Sequence, residues 1–131
     1  MSELLDKIRN VKGLRCARRC TEEELKQAQI ELGLNFPEEY KEYVSEFGCI
    51  DFGVHEWTGL HVKGYLNTVT ATKSEIEVNQ DFPAKCFVLE DLNIDAKKVI
   101  VNEEGKVYLL QLNQVTPLCG SISEYLDMCT K

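Results

Sequence analysis

The sequence predicts an α+β fold. Helical apolar periodicity is confined largely to the two ends of the chain, the middle reads as short strand-like runs, and helices and strands do not alternate as a βαβ chain requires. Leu4, Leu5, Ile8 and Val11 form one amphipathic stripe ended by Gly13, with Ser2 placed to cap its start. Thr21 and Glu24 then match a capping box, and Leu25, Ala28 and Leu32 recur at helical spacing until Gly33 supplies a left-handed stop. That predicts a helix over 22–32. Pro37 suits the first turn of another, whose Tyr40, Tyr43, Val44 and Phe47 share a face before Gly48 closes it. These two helices read as an αα-hairpin.

From Cys49 the period changes to short apolar stretches broken by Gly53, Gly59 and Gly64, as expected for short strands and tight turns. The stretch from Asn67 to Phe82 carries two signals: Thr72 and Glu75 suit a helix start, whereas Thr68, Val69 and Thr70 favour extended chain. A brief helix near 72–79 is the reading adopted. CFVLE, KVIVN and KVYLLQL are strand candidates, the last two joined by the hairpin loop Glu103-Glu104-Gly105, so an antiparallel sheet is expected. Ser121 and Glu124 form a further capping box, and Ile122, Tyr125, Leu126 and Cys129 complete a C-terminal helical stripe.

Composition narrows the function classes. The chain has 131 residues, 44% hydrophobic and 28% charged, with a formal net charge of −7, which describes one domain with room for a core that needs neither disulfide nor metal. No apolar run approaches the roughly 20 residues of a membrane span, and the first ten residues lack a secretory apolar stretch, so a cytoplasmic protein is expected. Residues 1–20 carry a charge of +4, residues 21–56 carry −8 and residues 57–131 carry −3. Arg15, Arg18 and Arg19 precede the acidic run TEEEL, and the two blocks are expected to pair with each other in part. The acidic balance argues against direct nucleic-acid binding and favours basic partners.

No catalytic motif is found. There is no nucleophile elbow, Walker loop or dinucleotide glycine fingerprint. His55-Glu56 resembles the opening of a zinc-protease helix, but His61 follows six residues later across Gly59, not at i+4 on one helical face. Asp91, Asn93 and Asp95 mimic the opening of a calcium loop, yet Ala96 and Asn102 replace the required Gly and Glu, which leaves a turn with Asx hydrogen bonds. The six cysteines are scattered; Cys16 and Cys20 fit no redox or zinc spacing, and Cys86 and Cys129 suit small buried hydrophobes. No metal, cofactor or catalytic residue is therefore assigned. Trp57, the only tryptophan, has two readings: an aromatic anchor ringed by acids at a protein interface, or a core residue beneath the helices.

Several pieces together resemble the SUKH superfamily: Leu32-Gly33, Phe36-Pro37-Glu38-Glu39-Tyr40, Phe47-Gly48 and Gly59-Leu60, followed by Phe82-Pro83, CFVLED, VIVNEEGKVY and a C-terminal S-x-x-E-Y-L helix. The likeness spans about 22–128, with NTVTATKSEIEVNQDFP most similar to immunity proteins of the YobK group; GLRCARRC lies outside it. The organisation expected is one SUKH-like domain over 1–131, residues 1–20 forming an N-terminal helix and basic leader. The resemblance implies a cytoplasmic immunity protein, not an enzyme, that binds and neutralises a cognate secreted toxin. A protein-binding adaptor or regulatory scaffold of the same fold is the alternative. Many such toxins are nucleases with basic grooves, so Glu38, Glu42, Glu46, Asp51 and Glu56 are the candidate partner-binding residues, with Trp57 as the apolar candidate.

Overall fold

The computed structural model describes residues 3–131, so the expected cap at Ser2 lies outside the described residues. In chain order the elements are α1 (Glu3–Arg9), β1 (Arg15–Cys16), α2 (Glu22–Leu32), α3 (Glu38–Phe47), β2 (Ile50–Phe52), β3 (His55–Trp57), a 3-10 turn (Gly64–Leu66), α4 (Thr68–Val78), β4 (Cys86–Asp91), β5 (Lys97–Asn102), β6 (Val107–Gln111), β7 (Gln114–Cys119) and α5 (Ile122–Cys129). The seven strands form one antiparallel sheet in sequence order, with helices at both ends of the chain, which is the expected α+β class.

The helix signals act as their chemistry requires. Thr21 Oγ1 accepts the Glu24 N–H while Glu24 accepts the Thr21 N–H, a complete capping box, and Gly33 ends α2 at φ 65°. Ser121 caps α5 by accepting the Glu124 N–H. One expected start is displaced. α4 begins at Thr68, capped by Asn67, whose side chain accepts the Thr70 N–H, and Thr72 instead points inward to accept the Val88 N–H at 3.0 Å. The αα-hairpin also needs correcting, because α2 packs chiefly on α4 whereas α3 packs on α1 and α5. The intervening Leu34 and Phe36 are buried, and Phe36 lies edge-on to Phe87 of β4, so the chain between α2 and α3 is drawn into the core.

Strand alternation divides the apolar residues between the two sheet faces. Phe87, Leu89, Val99, Val101 and Val107 join Tyr40, Tyr43, Trp57, Ile122, Tyr125 and Leu126 in the main core under α1, α3 and α5. Cys86, Val88, Ile100 and Leu110 form a second cluster on the other face, packed with Ala71 of α4 and with Phe82. A β-bulge between Val88 and Glu90 breaks the alternation, so Leu89 and Glu90 both serve the main-core face. The 91–95 segment is the expected Asx turn, with the Asn93 N–H donating to Asp91 Oδ1 at 2.8 Å. β7 has no counterpart in the sequence reading; it is a mostly exposed edge strand.

Candidate functional site

The candidate acids separate by element. Glu38, Glu42 and Glu46 lie one helical turn apart on α3. Glu38 is exposed beside Lys41, Glu42 is half-buried, and Glu46 accepts from Arg9 of α1 at 3.1 Å. Asp51 and Glu56 belong to β2 and β3, where they stand opposite each other. Their neighbours Ile50, Phe52 and Trp57 point into the main core, so alternation turns both carboxylates to the opposite, α4 side of the sheet. The acids therefore form two separate strips.

Two like charges directly opposed across strands repel. Here Arg15, which pairs with Asp51 in the β1–β2 register, donates from Nε to Asp51 Oδ1 at 2.8 Å, and the Tyr65 hydroxyl donates to Glu56 at 3.2 Å. The basic leader thus relieves Asp51 on β2, not the TEEEL run that sequence proximity suggested. Among the described residues, Arg18 and Arg19 form no ion pair with that run, and Glu24 bonds His61 instead.

Glu56 stands at the mouth of a cavity of about 400 Å³ between α4 and the sheet. Its floor is apolar, with Leu66, Ala71 and Val88, and its rim carries Glu56, Glu75, Asp91 and Lys98. Lys98 Nζ lies 3.3 Å from Glu75 and 3.7 Å from Asp91, so one ammonium serves two carboxylates, while among the described residues the Glu56 carboxylate is hydrogen-bonded by the neutral Tyr65 hydroxyl and has no ion pair. Tyr65 and Val78, 68% and 79% exposed, leave apolar surface beside this acidic rim. An apolar cleft edged by uncompensated carboxylates fits a side chain with an aliphatic stem and a cationic head. Sequence reasoning read Glu75 as a helix-start signal and Asp91 as part of an Asx turn and passed over Tyr65, since no spacing relates the turn before α4 to the end of β4.

Trp57 takes the core reading. It is 0% exposed, stacked on Tyr125 at 5.8 Å and edge-on to Tyr43 at 5.6 Å, so its ring meets no partner while the core is closed. Around it lies a polar cluster that sequence reasoning missed. Glu90, 1% exposed, accepts from the Tyr125 hydroxyl, lies 2.9 Å from His55 Nδ1 and accepts weakly from the Glu56 N–H at 3.3 Å. Burial pushes the Glu90 carboxyl up, opposed by the Tyr125 bond and by His55. His55 and Cys129 line a second cavity, about 750 Å³, between α1, the β2–β3 turn and α5.

The motif residues prove structural when placed. Phe36 and Tyr40 are core residues, and Glu39 accepts the N–H groups of Ile122 and Ser123, filling the α5 N-terminus with a carboxylate. Gly48 and Gly59 meet through the Leu60 N–H, which donates to the Gly48 carbonyl at 3.0 Å. Among the described residues no helix is long and apolar enough to cross a membrane. A search of curated proteins gives no match. The family model described as SMI1-KNR4 cell-wall, SUKH_5, matches residues 1–131, including the leader. With that match over the whole sequence and every motif glycine, proline and tyrosine in its structural place, the chain belongs to the SMI1-KNR4 family of the SUKH superfamily.

Proposed function

We propose that this protein is an immunity protein that binds a basic toxin domain, a nuclease by preference, and occludes it by direct contact. Family membership supports the general immunity character and a protein partner. The observation that carries the electrostatic part is the row Asp51–Glu56 running into the cleft edged by Glu75 and Asp91, where a single lysine faces the rim acids. A Lys- or Arg-rich groove would lay its side chains along this row and one stem into the cleft, with complementary potentials accelerating encounter. The α3 strip of Glu38 and Glu42 extends the acidic surface, with Glu46 already paired to Arg9.

The test is co-purification with the product of the adjacent gene, followed by a nuclease assay on that partner. Association is expected to weaken with rising salt, and the double reversal Asp51→Lys/Glu56→Lys to slow it by about tenfold or more. Glu38→Lys/Glu42→Lys measures the contribution of the second strip. Binding indifferent to salt and to both reversals would favour the adaptor reading, in which a protein or peptide without toxin activity is held through apolar contact beside Tyr65 and Val78.

A further inference from the structure

We propose that His55, Glu90 and Cys129 form a binding site for a thiophilic divalent cation, zinc being the best match. The three residues come from β3, β4 and α5, and their imidazole, carboxylate and thiol donor atoms all lie within 4.8 Å of one another. A tetrahedral ion bonded at about 2.0–2.3 Å to each donor holds them roughly 3.5 Å apart. The His55 Nδ1–Glu90 Oε2 contact, now 2.9 Å, opens by about half an ångström to reach that spacing, and the Cys129 sulfur, within 4.8 Å of the other two donors, closes onto it. A nitrogen, an oxygen and a sulfur donor select zinc over magnesium or calcium, which take oxygen ligands.

Three further features suit an ion. Charge is balanced: one carboxylate, one thiolate and a neutral imidazole around a dication sum to zero, which the edge of a core tolerates. No lysine or arginine pairs with Glu90 among the described residues, so its only basic neighbour is His55. The bulge at Val88–Glu90 turns this carboxylate to the His55 and Cys129 side, where regular alternation would send it toward α4. Finally, Trp57 Nε1 is the one buried side-chain N or O atom without a hydrogen-bond partner among the described residues. Its N–H lies near the Cys129 sulfur, where an outer-shell donor to a metal-bound sulfur would stand. Access comes through the 750 Å³ groove that His55 and Cys129 line, which leaves the fourth coordination position to solvent.

The experiment titrates zinc chloride, and separately cobalt chloride, into chelator-treated full-length protein. Wild type is expected to bind one ion per chain, to gain a thiolate-to-cobalt absorption in the near ultraviolet, and to melt at higher temperature with zinc than without. Cys129→Ala and His55→Gln are each expected to weaken zinc binding tenfold or more, whereas Cys16→Ser, which removes the exposed thiol, leaves both affinity and absorption unchanged. Absence of saturable binding, absence of the cobalt–thiolate band in folded wild type, or affinity kept in Cys129→Ala but lost in Cys16→Ser would each overturn the site. The wild-type spectrum decides the matter even if a variant fails to fold.

Discussion

Trp57 shows how much a single residue's environment matters. A tryptophan among acids reads as an interface anchor, but Asp51 and Glu56 are turned to the opposite face of the sheet, and the ring falls between Tyr43, Phe52 and Tyr125. Trp57→Ala is therefore expected to cost about 3–5 kcal/mol, measured by urea unfolding, whereas an interface residue would leave stability nearly untouched. At the other end of the scale, Thr21→Ala removes one acceptor from the α2 capping box and should cost about 1 kcal/mol by the same measurement. The thiols supply a pH dependence. Burial pushes Cys20, Cys49 and Cys86 up to about 11 from an ordinary 9.0. A group with a raised folded-state pKa contributes stability in full below its unfolded value and loses it as pH climbs through the folded one. The urea midpoint should accordingly fall between pH 9 and 11, and fall less steeply in Cys49→Ala than in wild type.

At the scale of elements, the family signature is a set of contacts between segments distant in sequence. A Cβ on Gly59 would stand 1.8 Å from the Gly48 carbonyl oxygen and 2.8 Å from the Cys49 Cα, and one on Gly48 would stand 1.9 Å from the Arg18 carbonyl. Backbone cannot yield by such distances, so Gly59→Ala is expected to destabilise by about 3 kcal/mol or more, seen as a lowered Tm or loss of soluble protein. The same crossing explains why the leader belongs to the fold: the Ala17 N–H donates to the Cys49 carbonyl at 2.8 Å, which docks β1 on the sheet. α4 illustrates the limit of local signals. Thr72 has the chemistry of a cap, but its hydroxyl has a buried partner on β4, and Asn67 takes the capping role one turn earlier. β7 escaped notice because Gln114–Cys119 carries neither alternation nor an apolar run and contains Pro117; its pairing with β6 supplies the extended structure.

For the whole molecule, the charge count is less informative than its layout. Residues 21–56 carry −8, yet the fold distributes that excess over α2, the α3 strip and the Asp51–Glu56 row, and gives part of it to Arg9 and Arg15 of the leader. A partner that follows the sheet row should respond to reversal at Asp51 and Glu56 far more than to reversal at Glu38 and Glu42, and the ratio of the two association rates measures which strip it uses. The helices over 22–32 and near 38–47, the three central strands, the Asx turn and the terminal helix were legible because each is specified by neighbours within a few positions: caps, periodicity, turn residues. The class α+β followed from their order. Tertiary structure alone decided which acids share a surface, that α2 leaves α3 to pack on α4, and that His55, Glu90 and Cys129 converge around the buried edge of Trp57. These depend on strand register, on one bulged residue in β4 and on helices meeting across a core, and nothing within a few residues of any of them encodes the meeting.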